Sequence, residues 1–261
     1  MRPMLLAVDI GNTNTSCGLF RGGRLVGRFE LPTALGARRT GFRRRLRARL
    51  GGRRIEQALI CSVVPQMTPV MAGALRRLGV RRIRVVGRDV KVPLRNRYRY
   101  PRQVGHDRLV GAYAAWKEFG LRRGTRDRGQ GRDCIVCDFG TAITIDLVTR
   151  RGEYLGGVIA PGLQISLDAL ASRTALLPRV ALRKPPELLG RDTANSIRSG
   201  LIHGAAALCD GLVARLKRHY SPSAVVVATG GSSPLITHYY SREIDHLRPS
   251  LVLEGLFYLS I

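Results

Sequence analysis

With 261 residues, 44% of them hydrophobic, the chain can bury the core of one large domain or two of ordinary size, which excludes a disordered or fibrous protein. Forty-four Lys and Arg against 18 Asp and Glu give a net charge of +26 that favours anionic ligands, yet the arginines are scattered with few aromatics between them. No zinc-finger or ribonucleoprotein-type motif accompanies them, so nucleic acid is not the expected partner. No apolar run reaches membrane-spanning length and residues 1–8 lack the tripartite build of a secretory signal, so a cytoplasmic protein with no membrane role is expected.

The chain opens with an apolar strand, Leu5 to Val8, that runs without a break into Asp9-Ile10-Gly11-Asn12-Thr13-Asn14-Thr15-Ser16. A carboxylate at a strand end can hold Mg²⁺, and Gly11 lets the backbone turn tightly and present N–H groups to phosphate oxygens. Asp-x-Gly also occurs in plain hairpin turns, so one copy says little. Ser16 to Phe20 predicts a second strand, Gly22-Gly23 a turn and Arg24 to Leu31 a third strand. Residues 40–50 read as a helix inside a block, Arg38 to Arg54, that carries nine Arg and no acid and could steer anions. A strand over Gln57 to Val64, a helix over Thr68 to Leu78 and a strand over Arg82 to Val86 complete an α/β layer. Residues 91–103 suggest an extended surface loop, followed by a helix from Asp107 to Phe119 with Asp107 at its N-terminus, where an N-cap is the plain structural explanation. Gly120 to Asp133, rich in Gly, Arg and Asp, reads as a linker or exposed loop.

The second half repeats the plan. Strands over Cys134 to Asp138, Ile143 to Val148 and Tyr154 to Ile159 form another meander, turning at Phe139-Gly140 and Arg151-Gly152, and Asp138-Phe139-Gly140-Thr141 is a second Asp-x-Gly. Cys134 and Cys137 form C-x-x-C, but positions three apart in a strand face opposite ways and a second pair is missing, which argues against zinc or a disulfide; the five cysteines instead suit a reducing compartment. A helix follows Pro161-Gly162 to about Ser172, and Thr174 to Pro178 is extended. Apolar residues at 194, 197, 201, 205, 208 and 212 predict a long helix over Thr193 to Tyr220, with Gly200, Gly204 and Gly211 thinning it for close packing. A buried strand over Ala224 to Ala228 leads into Thr229-Gly230-Gly231-Ser232 and a short helix, a nucleotide-friendly turn. Leu251 to Ile261 is expected to pack as a terminal helix or strand.

Two meander-plus-helix halves, each opened by Asp-x-Gly, resemble the actin, sugar-kinase and Hsp70 superfamily. That resemblance implies an α/β fold of two duplicated ribonuclease-H-like domains, here 1–119 and 120–261, with ATP in an interdomain cleft. Along nearly the whole chain the finer resemblance is to the type III pantothenate kinase family, carried by Asp9 to Thr13, Gly105 to Arg108, Asp138 to Ala142, Gly156 to Gly162, Thr174 to Pro178, Gly190 to Thr193 and Thr229 to Gly231. It implies ATP-dependent phosphorylation of pantothenate to 4'-phosphopantothenate, the first step of coenzyme A biosynthesis. ATP would lie on Asp9, Ile10, Gly11, Asn12, Thr13, Asn14, Thr15, Ser16 and Thr141, with Mg²⁺ at Asp9, while Asp107 would be the catalytic base. Tyr100, Gly105, His106, Asp107, Arg108 and Thr193 would line the pantothenate pocket, Asp138 would hold K⁺ or NH₄⁺, and a homodimer is implied. His106, the 120–133 insert and the arginine content depart from the family's usual pattern. A transcriptional accessory or regulatory protein of the same family, and another small-molecule kinase of the superfamily, are the alternatives.

Overall fold

The first strand, β1 (Met4–Ile10), is buried on both faces, which fits the centre of a sheet rather than its edge. It pairs antiparallel with β2 (Asn14–Arg21), and β2 with β3 (Arg24–Pro32) across the Gly22-Gly23 turn, whose φ values of 56° and 85° call for glycine. On its other side β1 runs parallel to β4 (Gln57–Ser62) and β4 to β5 (Arg82–Val85), giving the order β3-β2-β1-β4-β5. The computed structural model describes residues 4–37, 39–121, 131–237 and 241–261. Helix α1 (Arg39–Leu50) turns Phe42, Leu46 and Leu50 inward and α2 (Met67–Arg77) turns Met71 and Leu75 inward, onto the sheet face that carries Leu6, Val8 and Ile10. The opposite face carries Leu5, Ala7, Leu59 and Cys61, and Val110 of α3 (His106–Ala115) packs there.

Two expectations for the middle of the chain need correction. Within the presumed surface loop 91–103, Arg95–Asn96 forms a short strand, β6, because its backbone and that of Arg97 donate to carbonyls of Gly152 and Tyr154. The helix predicted to Phe119 keeps its α winding to Ala115 and then widens into a π turn over Trp116–Gly120, where the Trp116 indole N–H donates to the Arg150 carbonyl at 3.0 Å. The linker predicted over Gly120 to Asp133 falls largely outside the described residues.

In the second half, β7 (Cys134–Phe139), β8 (Ala142–Val148) and β9 (Glu153–Pro161) form the expected meander, and α4 (Leu163–Arg173) follows. Helix α5 (Thr193–His219), β10 (Val225–Thr229), α6 (Ser233–Thr237) and β11 (His246–Leu247) complete it. The sheet order is β11-β10-β7-β8-β9-β6. Read from β9 to β11, it repeats the order of the first sheet, so the duplication inferred from two Asp-x-Gly turns is present in the topology itself. The bulge at Leu19/Phe20 even has a counterpart at Leu147/Val148.

The buried stripe of α5 differs from the predicted one. Ile197, Ile202, Ala205, Ala206, Cys209 and Val213 are buried while Leu208 is exposed; apolar residues on both stripes left the phase of the helix undecided by periodicity. Gly200 and Gly204 do not serve close packing either, since a Cβ on either would meet open space.

The described residues divide into two units, one made of the chain up to Leu94 with Arg99–Ala114 and Ser250–Ile261, the other of Arg95–Tyr98 and Ala115–Pro249. A division at 119/120 differs from these units: Arg95–Tyr98 and residues 115–119 fall in the second unit, and the last helix, α7 (Leu251–Ser260), falls in the first. Its Leu253 and Leu256 cover the face formed by Leu5, Ala7, Leu59 and Cys61, which α3 alone leaves partly open, and Phe257 stacks on Phe20 at 4.9 Å. Gly255 lets the two helices approach closely, since a Cβ there would stand 2.5 Å from the Val110 carbonyl oxygen. Leu256→Ala, at a fully buried position, is expected to cost about 2–5 kcal/mol in urea unfolding, because it opens a cavity under the central sheet.

Candidate active site

In β1 the single residue that is not fully buried is Asp9, and in β7 it is Asp138. Both strands are enclosed by neighbours on either side, so a charged group can be placed only near the carboxyl end, where the chain leaves the sheet. Asp9 lies in register with Ser16 of β2 and Cys61 of β4. The turn beyond it is closed by the Gly11 N–H donating to the Asn14 carbonyl at 3.0 Å, and Thr33 holds it from outside, donating its hydroxyl to the Gly11 carbonyl at 2.8 Å. Asn12, Thr13 and Asn14 are exposed at the tip, whereas the Ile10 side chain is in the core and the Thr15 hydroxyl, fully buried, sits 3.1 Å from that of Thr33. Ile10 and Thr15 can therefore offer a phosphate their backbone but not their side chains.

Asp107 stands one residue inside α3, not at its cap. Its Oδ1 accepts the N–H of Arg108 at 2.8 Å, satisfying one of the free donors of the first turn and placing negative charge at the positive end of the helix. Gly105 and Gly87 make this corner possible. A Cβ on Gly105 would lie 2.4 Å from Asp107 Oδ1, and one on Gly87, whose φ is +85°, would lie 2.2 Å from His106 Nε2. Gly105, His106, Asp107 and Arg108 are half-buried, and Tyr100 is 60% exposed. Burial first, then the charges of Asp9 and Asp107, push the Cys61 thiol well above its ordinary range. Two carboxylates of the first unit thus act on the end of β4.

In the second unit, Asp138 is in register with Thr144 of β8 on one side and Thr229 of β10 on the other. Two glycine turns enclose its carboxylate. A Cβ on Gly230, at φ +92°, would stand 2.3 Å from Asp138 Oδ1, and one on Gly140 would stand 3.3 Å from it. A third glycine, Gly162, lies so close that its Cβ would be 2.2 Å from the Thr141 carbonyl oxygen. Thr141 itself is exposed at the turn. Carboxylate, threonine hydroxyls and turn carbonyls are hard oxygen donors, the chemistry that suits K⁺ and Mg²⁺ and disfavours zinc. Among the described residues no group of three or more His, Cys, Asp or Glu could hold a metal.

Thr193 is exposed as the first residue of α5, capped by Asp192, which accepts the Asn195 N–H at 2.8 Å; that bond is the main cause holding the Asp192 carboxyl below its ordinary value. Sequence reasoning passed over two residues. Arg198, buried on α5, donates to the Ala181 carbonyl at 3.0 Å and to Asn195 Oδ1 at 2.9 Å, fastening the irregular segment before the helix. Asp146, two residues beyond Thr144 on the same face of β8, is 2% exposed and accepts the Tyr154 hydroxyl at 2.8 Å. Its signal is the polar alternation Thr144-x-Asp146 in an otherwise apolar strand. Cys134 and Cys137 do turn opposite ways, toward the Ala115 carbonyl and Cys209 respectively, and burial pushes the Cys134 thiol up to about 12.

Each unit carries a carboxylate at the end of its central strand beside glycine turns, on a duplicated α/β fold of the actin and sugar-kinase type. The solved structures agree on the fold: the ethanolamine utilization protein EutJ from Carboxydothermus hydrogenoformans superposes with a TM-score of 0.56 at 14% identity, covering 99% of this chain and 90% of that one. A ROK family glucokinase from Streptomyces griseus, solved with glucose and AMPPNP, gives 0.51 at 16% identity and 97% coverage of both. The family model for type III pantothenate kinase matches residues 5–215. Type III pantothenate kinases of Syntrophotalea carbinolica and Rubrobacter xylanophilus are 38% and 41% identical, each alignment covering 97% of this chain and 96% of the relative. The chain belongs to the type III pantothenate kinase family.

The glycine cradle around Asp138 can be tested by a pair of substitutions. Gly230→Ala is expected to destabilise the protein by about 1–3 kcal/mol, because alanine resists the positive φ and its methyl group displaces the carboxylate. Gly231→Ala, with nothing within 4 Å of its Cβ, is expected to unfold as the parent does in the same thermal scan.

Proposed function

We propose that this protein transfers the γ-phosphoryl group of ATP to the primary hydroxyl of pantothenate, giving 4'-phosphopantothenate for coenzyme A biosynthesis in the cytoplasm. Membership of the family carries the reaction, and the charges of Asp9 and Asp107, both bearing on Cys61 of β4, support the division of labour within it. A primary alcohol is a poor nucleophile at neutral pH, so a carboxylate within hydrogen-bond reach takes its proton as transfer proceeds. Asp107 is that base. Its Oδ1 accepts the Arg108 N–H, which restrains the carboxylate at the start of α3.

The backbone of residues 9–16 and the exposed Asn12, Thr13 and Asn14 bind the phosphates of ATP, with Thr141 contributing from the second Asp-x-Gly. Asp9 would hold Mg²⁺, which when bound would supply positive charge where negative charge shifts during transfer. Asp138 holds the monovalent cation, K⁺ or NH₄⁺, with the neighbouring oxygens of Thr144, Thr229 and the glycine turns. Tyr100, Gly105, His106, Arg108 and Thr193 line the pantothenate pocket. Leu176, Leu188 and Leu189 are 91%, 68% and 77% exposed, and such exposed apolar side chains support assembly as a homodimer. The comparisons favour neither a regulatory role nor a different acceptor.

ADP release measured with and without pantothenate, in K⁺ against Na⁺ buffer, tests the reading as a whole; release that ignores pantothenate would sink it. Asp107→Asn keeps an oxygen to accept the Arg108 N–H and so should keep the fold, while turnover falls on the order of 10²-fold or more. A rate near that of the parent would reduce Asp107 to a helix-terminus residue. Asp138→Ala is expected to abolish the response to K⁺, read as the ratio of rates in K⁺ and Na⁺; full activation in that variant would remove the cation from Asp138.

A further inference from the structure

We propose that the outward face of α1 is a binding site for a small oligophosphate, a ligand of two or three linked phosphate groups. A groove of about 420 Å³ runs along this helix, lined by Thr40, Gly41, Arg43, Arg44 and Arg47. Positions 40, 43, 44 and 47 follow the i, i+3, i+4, i+7 spacing of one helix face, while the reverse face, Phe42, Leu46 and Leu50, is sunk in the core. The three guanidiniums are therefore held on one side of a helix whose other side cannot rotate outward.

Among the described residues nothing neutralises them. No Asp or Glu occurs between Glu30 and Glu56, and among the described residues Arg43, Arg44 and Arg47 make no hydrogen bond or ion pair. Some surface arginines elsewhere do have a carboxylate partner, Arg28 with Glu30, Arg88 with Asp89 and Arg97 with Glu153. Arg43 and Arg47 are four apart and Arg44 and Arg47 three apart, the separations at which like charges on a helix repel. A phosphate chain reverses the sign of that interaction, and each guanidinium can meet it with two parallel N–H donors.

Size and surroundings select the ligand. Seven steps of helical rise, from Thr40 to Arg47, span about 10 Å, the scale of a few linked phosphates and far short of a track for a polymer. The one aromatic residue of α1, Phe42, is fully buried, so no stacking platform for bases accompanies the arginines. The groove also lies across the first sheet from the face on which α3 packs, so it is separate from the corner that holds Asp107.

Calorimetric titration of the full chain with tripolyphosphate tests this, compared with the same titration of variants of the α1 arginines so that any binding at the nucleotide site cancels. One further site per chain is expected. In Arg44→Gln/Arg47→Gln its affinity should fall about tenfold or more, with turnover at saturating substrates unchanged. Arg44→Lys/Arg47→Lys, which keeps charge but loses the planar fork, should bind more weakly than the parent and more tightly than the Gln variant. Equal binding by the parent and the Gln variant would overturn the site, as would an equal loss in Arg76→Gln/Arg77→Gln, since that would reduce it to bulk charge. A short single-stranded oligonucleotide binding more than about tenfold tighter than tripolyphosphate would also overturn it, by making the face a nucleic-acid surface.

Discussion

A strand buried on both faces can carry a charged group without side-chain hydrogen-bond partners only where it leaves the sheet, and much of this molecule is arranged around that constraint; Asp146, inside β8, is tolerated because Tyr154 and Thr144 bond to it. β1 and β7 are such strands, with parallel and antiparallel partners on either side and helices over their faces. Ionised carboxylates in their middles would cost several kcal/mol each in lost hydration. At the carboxyl end the backbone turns away, its N–H groups become available, and a carboxylate stays partly hydrated. The duplication of this solution, with the same strand order in both halves, supplies two such ends from one fold plan.

Glycine makes the ends usable, for two different reasons. At Gly230 and Gly87 the backbone has positive φ, so an L side chain would strain the turn before it met anything. At Gly105, Gly140 and Gly162 the matter is space, because neighbouring oxygen atoms lie where a Cβ would be. Asp107 and Asp138 are each flanked by such positions. Their carboxylates are consequently placed by backbone, whose position is set by sheet and helix, rather than by long side chains that must lose rotamer entropy to reach a site.

Much of this was legible in the residues. Alternation and turn signals located both meanders, because Gly22-Gly23 and Phe139-Gly140 interrupt apolar runs where the chain reverses. β6 was not legible: two residues of polar, basic sequence became a strand because an edge carbonyl row was available, which is tertiary context. The phase of α5 was lost because both of its candidate stripes are apolar. The place of α7 was lost because an apolar segment says that it will be buried but not against which sheet. At the site, the Asp-x-Gly turns stood out by composition, whereas Asp146 and Arg198 did not, since their importance lies in partners far along the chain, Tyr154 and Ala181.

Cys61 shows how the active corner tolerates its own charge. It sits beside Asp9 in register, fully buried, and both Asp9 and Asp107 oppose its ionisation. A serine there would need a hydrogen-bond partner in a buried position, and an acid would add a third negative charge where phosphates must enter. A neutral thiol avoids both, filling the space as a small apolar group. Its pKa, raised by burial and by the two aspartates, keeps it uncharged and inert through the neutral range, so it adds no charge to those of Asp9 and Asp107 at this end of β4.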